Sequence, residues 1–470
     1  MEKTDLALVM CPAWGVVQPP VGLGYLKGYL NGAGVRAKCF DLSFDLYKAM
    51  PKNQYWDLNH PDDFTDLPLF EKNIVPSLIP FIEQWADRIL SHDPGMVGFS
   101  LFMSSLNVSI ILAQHLKLKR PDLVLIAGGA EVTRFKQVLL DKMTRFAALR
   151  SEAFVGGIFD IFVVGEGEET LRELVMLKRQ GGDWQKADGI IYRRDGVMVE
   201  NKPRAMIRDL DALGVPDYSD FEVGRYVRKS LPVVSSRGCV NRCTFCADSP
   251  LWKTYRACSA LKVVNDLKAL VQTYEITEFE FADSLFNGDI RRVEEICDLI
   301  TGSGLKIQWS AKVAFHPGMG LGLLTKMRAA GCGSLAYGVE SGSPRVLSDM
   351  RKNMDLDDAR RIIRETSLAG IEANCFFLIG YPTETEEDFE MTLDFIRQNA
   401  RFIHRFDQVT GCHIEENSFL GRNLEKYGII REDHGWCSPV STPEIRQGRL
   451  QRFRALAREL HGHYQCEVQS

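Results

Sequence analysis

The sequence predicts an α/β chain made of a doubly wound, Rossmann-like parallel sheet over residues 1–200, a partial (β/α)6 TIM barrel over 225–410 and a small, mainly helical region over 411–470. Three observations predict it. Short apolar runs alternate with helical periodicity through the first 200 residues. The same alternation then recurs six times between residues 231 and 413, mostly at the spacing of about 30 residues that one strand–helix unit needs. Between the two lies a proline- and acid-rich stretch, 201–224, with neither period, which reads as a linker.

Length and composition bound the function. At 470 residues the chain suits two or three domains, and 45% hydrophobic with 25% charged residues is ordinary for globular proteins. The 57 Lys plus Arg against 62 Asp plus Glu leave a net charge of -5, so no basic field points to a nucleic-acid partner. Twelve cysteines follow an N-terminus with no leader-like apolar segment, which predicts a cytoplasmic, reducing setting and no membrane span. There, thiols serve metals or cores rather than disulfides.

In the first unit, residues 6–10 read as a strand ending at Cys11-Pro12, and 22–30 as a helix with Leu23, Leu26, Tyr29 and Leu30 on one face. Strands follow at 35–42, 96–102, 123–127 and 161–164, with an irregular insert at 55–68. Ligands of such sheets lie beyond the carboxyl ends of the strands. The candidate turns there are Trp14-Gly15, Ser100 to Ser105 with Ser104, Gly128-Gly129 and Gly165-Glu166-Gly167. None forms G-x-G-x-x-G, so a nicotinamide cofactor is not expected. His115 reads as a helix-face residue rather than a ligand.

The barrel strands are expected at 231–235, 278–282, 306–311, 334–339, 372–379 and 406–413. Six strands fall short of the eight that close a barrel, and reacting groups collect at the carboxyl ends. After the first strand comes Ser235-Ser236-Arg237-Gly238-Cys239-Val240-Asn241-Arg242-Cys243-Thr244-Phe245-Cys246. A zinc ribbon needs a second C-x2-C pair, and a disulfide framework an oxidising compartment. Three thiolates on one loop suit an iron–sulfur cluster, which normally takes four. The missing ligand leaves one iron open, as a catalytic zinc keeps an open position. Three buried core cysteines are the alternative.

The remaining strand ends offer fewer choices. Asp283 follows the second strand, either as a hydrogen-bond acceptor for a ligand or as a helix cap beside Asp289. Lys312 ends the third, either as a cation for a carboxylate or as a solvated side chain. The fourth ends Gly338-Val339-Glu340-Ser341-Gly342-Ser343, where an acid among small residues suits a ribose diol or an amino group; the alternative is a buried carboxylate paired with Lys312 or Lys352. After the fifth, Gly380 permits close backbone approach, Pro382 forces a turn, and Thr383 can cap a helix with an acidic first turn. Beyond it, Cys412, His413, His434 and Cys437 match no metal spacing and read as scattered core residues. Residues 444–464 read as a helix packed across the barrel mouth.

The C-x3-C-x2-C spacing, with Phe245 directly before the third cysteine, resembles the cluster loop of the radical S-adenosylmethionine (SAM) superfamily. The Gly338–Ser343 segment and the run from Gly380 to Asp388 are similar to segments of its cobalamin-binding subfamily. So, more faintly, are Gly128-Gly129-Ala130-Glu131 and Gly165-Glu166-Gly167-Glu168-Glu169-Thr170. The resemblance implies a 4Fe-4S cluster on Cys239, Cys243 and Cys246, its fourth iron chelated by SAM. An electron from the cluster would split SAM into methionine and a 5'-deoxyadenosyl radical. It implies SAM contacts at Phe245, Asp283, Lys312, Glu340, Ser341, Lys352, Gly380 and Pro382, and cobalamin contacts at Trp14, Ser100, Ser104, Ser105, Gly128, Gly129, Gly165, Glu166 and Gly167.

Better-known cobalamin proteins carry D-x-H-x-x-G after the first strand. Here that loop, Cys11 to Pro20, has no histidine, which leaves a histidine-free cobalamin site or a domain that kept the fold and lost the cofactor. The implied activity is methylation of an unactivated carbon of a small molecule or natural product, with SAM serving as both radical source and methyl donor. No catalytic residue beyond the cofactor-binding ones is implied, and the electron would come from an external donor such as flavodoxin or ferredoxin. The alternatives are radical rearrangement, cyclisation or oxidation without methyl transfer, and a non-catalytic cluster or cobalamin sensor. Methylthiolation of transfer RNA is disfavoured, since residues 1–200 hold only Cys11 and Cys39.

Overall fold

The computed structural model describes residues 3–49, 62–136, 157–432 and 435–461. It divides into two compact units, Met1–Pro232 and Val233–Ser470.

The first unit is built on a seven-stranded sheet. Its strands are β1 (Leu6–Met10), β2 (Ala37–Asp41), β3 (Met96–Ser100), β4 (Val124–Gly128), β5 (Ile161–Val163), β6 (Ile190–Arg194) and β7 (Val197–Glu200), in the order β2-β1-β3-β4-β5-β6-β7. The first five are parallel, as expected, and their near-continuous apolar runs are buried on both faces. The helices are α1 (Val21–Gly32), α2 (Leu42–Ala49), α3 (Val75–Ser91), α4 (Leu106–Lys119), α5 (Ala130–Arg134) and α6 (Gly167–Arg179). The β6–β7 hairpin adds an antiparallel edge that the sequence reading omits. Asp195 and Gly196, at φ 51 and 78, form its turn, as a two-residue hairpin loop requires.

Residues 201–224 pack within this unit. Lys27 of α1, nearly fully buried, pairs with Asp217 at 3.4 Å and Asp220 at 2.8 Å, and Asp220 also receives Lys38. Asp41 ends β2 in the interior, accepting from Phe44 N at 3.0 Å and from the Tyr226 hydroxyl at 2.6 Å.

The second unit carries a six-stranded sheet with its strands in sequential order. They are β8 (Leu231–Val233), β11 (Glu278–Phe281), β12 (Gln308–Val313), β13 (Cys332–Glu340), β14 (Glu372–Ile379) and β15 (Arg405–Gly411). A two-stranded ribbon, β9 (Ser236–Arg237) with β10 (Arg256–Ala257), sits between the first two. The helices are α7 (Ala260–Tyr274), α8 (Ile290–Gly302), α9 (Leu321–Ala329), α10 (Pro344–Asp349), α11 (Leu356–Leu368), α12 (Glu386–Asn399) and α13 (Pro443–His461). Strands and helices alternate along the chain as expected. Asp289 caps α8, accepting from Arg291 N and Arg292 N. The cap of α12 is Thr385, in a capping box with Asp388, and not Thr383, whose hydroxyl binds Asp349 instead.

α13 does not span the ends of the strands. Its Phe453 packs against Phe377 and Phe406 on the apolar face of the sheet. From there its arginines reach the turn after β14: Arg449 bonds the buried Glu384 carboxylate at 3.2 Å, and Arg446 stacks on Trp436. No helix among the described residues is long and apolar enough to cross a membrane.

Burial pushes the Asp41 carboxyl up to about 6, against the hydrogen bonds that pull it down. The folded state then holds this proton more tightly than the unfolded chain, so stability falls as pH rises from about 4 through about 6. Asp41→Asn removes the charge and keeps polar partners for Phe44 and Tyr226. Its stability relative to the unsubstituted chain should improve from about pH 5 to about pH 8, by up to about 1.4 kcal/mol, and thermal melts at both pH values check this.

Candidate functional site

Parallel register places side chains of neighbouring strands on a common face. Phe279, Trp309, Leu335 and Tyr337 point to the buried apolar face of the second sheet. The opposite face carries Glu280, Ser310, Lys312, Ala336 and Gly338, in register across β11, β12 and β13, and ends at Glu340. Small and polar residues on one face of an otherwise apolar sheet leave room for a ligand at the carboxyl ends.

The cysteine loop leaves the sheet at β8 and returns through β10, so the β9–β10 ribbon is its neck. Asp283, one hundredth exposed, accepts at this neck from Ser235 N at 2.7 Å, Ser235 Oγ at 2.6 Å and Ser236 Oγ at 2.8 Å. From the other side Arg292 of α8 donates to Ser235 O at 2.8 Å and Cys258 O at 2.6 Å. Gly238, at φ 86, opens the loop where a β-carbon would collide with Thr254 O. The middle of the loop is fixed at Thr244, buried, with its hydroxyl on Tyr381 Oη at 2.8 Å and its amide on Met350 O at 2.9 Å. Phe245 packs in the apolar cluster of Val346, Leu347 and Tyr381.

Cys239, Cys243 and Cys246 are all half-buried, whereas every other described cysteine except Cys437 is buried. Burial pushes all three thiols up, Cys243 to about 11. They remain protonated until a metal displaces the protons. Among the described residues no three His, Cys, Asp or Glu side chains converge on a single-ion site. A cluster, by contrast, spreads its thiolates over different irons. One tight loop of three half-buried thiols fits that donor set.

Beside them lies the second feature. Glu340 sits at a register shift between β13 and β14 with φ 67, a left-handed conformation rare for a side chain of this size. The bend aims its carboxylate at Lys352, 2.8 Å away, and both side chains are 13% exposed. Of the two lysines considered as partners, Lys352 is the one engaged; Lys312 is exposed on β12. Burial opposes the Lys352 charge, yet the Glu340 carboxylate holds its pKa above the usual value. Gly338 admits the pair, since a β-carbon there would overlap both charged groups. Ser341 is buried and bonds Ser343 N and Thr392 Oγ1. Gly380, at φ 76, has its amide on Glu384 and lies against the Arg446 stem, and the Pro382 carbonyl accepts from Ser438.

The candidate residues of the first unit also share one edge, at the carboxyl ends of β1, β3, β4 and β5. Ser104 Oγ donates to Ala13 O, and the amide and carbonyl of Trp14 both bond Ser43 Oγ. Ser105 caps its own turn at Phe102 N, and Ser100 ends β3. Gly129, at φ 100, packs against the Leu101 backbone, to which Gly128 O is bonded. Gly165, at φ 85, donates to Thr133, Glu166 accepts from Ile207 N, and Gly167 starts α6. His115 bonds Ile111 O on its own helix. Of the histidines and cysteines near the end of the chain, Cys412 is buried and Cys437 lies beside Glu432; His434 falls outside the described residues. The roles of Arg292 and Phe102 escape the sequence reading, because both arise from contacts between distant turns.

Residues 233–396 match the Radical SAM superfamily. An uncharacterized methyltransferase of Pyrococcus horikoshii is 28% identical over 73% of this chain and 75% of its own. The anaerobic magnesium-protoporphyrin IX monomethyl ester cyclase of Rubrivivax gelatinosus is 25% identical over 91% of this chain and 70% of its own. The fold is shared with the radical S-adenosylmethionine methyltransferase TsrM of Kitasatospora setae, solved with cobalamin and a 4Fe-4S cluster bound. That likeness has a TM-score of 0.67 at 16% identity and covers 92% of this chain and 82% of that one.

Replacing Asp283 by Ala would leave Ser235 N and two serine hydroxyls without their buried acceptor. The expected loss is on the order of 3 kcal/mol, with Asp283→Asn in between, and urea denaturation checks it.

Proposed function

We propose, from the match of residues 233–396 to the Radical SAM superfamily, that the chain is a cobalamin-dependent enzyme that methylates an unactivated carbon of a small molecule. The observation that carries the reading is the loop of Cys239, Cys243 and Cys246: three half-buried thiols, fixed at neck and middle, with no fourth cysteine on the loop. When bound, a reduced 4Fe-4S cluster supplies the electron that cleaves SAM, and cobalamin supplies the methyl group.

The residues of the chain then have the following parts. Cys239, Cys243 and Cys246 would hold the cluster and, lacking a fourth cysteine on the loop, would leave it open to SAM. Glu340, oriented by Lys352, accepts hydrogen bonds from the SAM ribose or amino group, and Lys312 meets the carboxylate. Phe245 and the backbone at Gly380 and Pro382 border the adenosyl group, while Ser341 supports the turn beside it. Asp283, its oxygens filled by the neck, acts on the loop rather than on SAM. Trp14, Ser100, Ser104, Ser105, Gly128, Gly129, Gly165, Glu166 and Gly167 border cobalamin. An acidic donor such as flavodoxin or ferredoxin supplies the electron in the cytoplasm.

A second reading, ring closure or oxidation without methyl transfer, draws support from the cyclase likeness over 91% of this chain. Product counting separates the two: S-adenosylhomocysteine formed alongside 5'-deoxyadenosine marks methyl transfer, and 5'-deoxyadenosine alone marks the other outcome.

Anaerobic reconstitution with iron, sulfide and hydroxocobalamin should load about four irons and about one cobalt per chain, measured by metal analysis. Cys239→Ala, Cys243→Ala and Cys246→Ala should each lose the cluster absorbance and SAM cleavage; full iron content in any of them with active cleavage would sink the proposal. Glu340→Gln should keep its iron and bind SAM at least about tenfold more weakly, a change of about 1.4 kcal/mol readable by calorimetry.

A further inference from the structure

The cysteine loop carries positive charge on and beside it. Arg242, between the first two cysteines, is exposed, and its guanidinium donates to the backbone carbonyls of Cys239 at 2.9 Å and Lys253 at 2.6 Å. The Lys253 side chain is exposed next to it. Thr244, which follows Cys243, ties two further segments to the loop: its amide donates to Met350 O at 2.9 Å, and its carbonyl accepts from Leu420 N at 2.8 Å. The residues beside those contacts are Arg351 and Phe419. Arg351 holds its guanidinium over the Phe419 ring, 3.9 Å from the centroid, and Lys426 Nζ lies 5.5 Å from the same centroid. Both cations are exposed, and the ring between them is half-buried.

Among the described residues no carboxylate lies within ion-pairing distance of Arg242, Lys253, Arg351 or Lys426. Acids of the same segments are engaged elsewhere: Asp248 with Ser284, Asp349 with Thr383 and Arg345, and Glu416 with Arg431. Exposed Glu425, next to Lys426 in sequence, leaves the group net positive. Two like charges on one ring repel each other, and the attraction of an exposed ring for each is modest. Arg351 also sits at φ 54 in the turn that closes α10, with its amide on Ser348 O and the next amide on Leu347 O. Glycine is the usual residue there, so closing the helix does not account for an arginine. The whole chain has a net charge of -5, which makes this patch a local departure. Val240, 55% exposed on the loop itself, adds an apolar contact.

We infer that Arg242, Lys253, Arg351 and Lys426, with Val240 and Phe419, form the surface on which an acidic electron-carrier protein docks against the cysteine loop. This rests on the cluster reading proposed above. Docked there, the carrier loses one electron and the oxidised cluster gains it; no bond forms or breaks and no proton moves. Opposite charge steers such an encounter and acts mainly on the rate of association. Redox partners meet over small interfaces, which suits a few cations and two apolar contacts.

The test uses the full chain with its cluster reconstituted, mixed by stopped flow with reduced flavodoxin and followed by the cluster absorbance. Reduction should slow as salt rises from about 0.05 M to about 0.5 M, because screening shortens the reach of the patch. Arg351→Glu should slow it at least about threefold at low salt, and Arg351→Glu with Lys426→Glu at least about tenfold with a flattened salt dependence. Arg401→Glu, the same change of charge at an exposed position ahead of β15, should leave the rate unchanged. Photoreduced deazaflavin, a small reductant that needs no docking surface, should reduce every variant at the unsubstituted rate. Equal flavodoxin rates in the unsubstituted chain and the double variant overturn the inference, as does slowing that Arg401→Glu or deazaflavin shares. So does a cluster that deazaflavin reduces and neither flavodoxin nor ferredoxin does. Should the Glu variants fail to load iron, Arg351→Gly decides, since glycine suits the left-handed backbone: slower reduction by flavodoxin alone supports the patch, and an unchanged rate overturns it. If the unsubstituted chain loads no cluster, the cluster reading itself falls and this inference with it, whereas a loaded cluster with unaltered variants removes the docking surface alone.

Discussion

Three donors on one buried carboxylate fix the geometry of the whole second site. Among the described residues Asp283 has no cation in hydrogen-bonding contact; Ser235 and Ser236 donate to it, and Arg292 engages the far side of the same Ser235. Charge-assisted hydrogen bonds of this kind are short and directional in a dry interior. The loop between Ser236 and Arg256 therefore starts and ends at a fixed spacing, and the three thiols inherit it. A loop tethered only by its ends would lose that order; Thr244 supplies the third point of attachment, against Tyr381 and Met350.

The Glu340–Lys352 pair obeys a different logic. It is held by backbone distortion: a register shift, a left-handed residue and a glycine two positions earlier all serve to turn one carboxylate toward one ammonium. Such pairs add little net stability, because desolvating the two charges offsets most of their attraction. Their persistence in strained backbone points to orientation rather than to folding. The two carboxylates, at the ends of β11 and β13, thus divide the work: Asp283 is consumed by the fold, and Glu340 is turned toward Lys352.

Much of this was legible in the sequence. Apolar alternation located the first five strands and all six of the second sheet, and the cysteine spacing located the loop. The β6–β7 hairpin was missed although Asp195-Gly196 is a strong turn signal, because the apolar run before it is short. The helix cap after β14 was ambiguous on its face: Thr383-x-x-Glu386 and Thr385-x-x-Asp388 both satisfy the capping-box pattern, and only the second forms. The fates of Asp283 and Asp289 could not be separated either, since both precede α8 and only burial distinguishes them. The stacking of Trp14 on Phe102 lies beyond any local pattern, arising only when β1 and β3 pair.

The buried ion pair between Glu384 and Arg449 also bears on the order of synthesis. Burial pushes the Glu384 carboxyl up to about 7, with Gly380 N and Arg449 pulling against it. Glu384 belongs to the turn after β14, but its guanidinium partner arrives on α13, the last described helix of the unit. A nascent chain whose sheet is already complete through β15 therefore still carries an acid that it can bury only as the neutral form. Domains generally assemble as they emerge from the ribosome. Here the turn after β14 gains its buried ion pair only from the last described helix, so the acid and its partner lie about 65 residues apart along the chain.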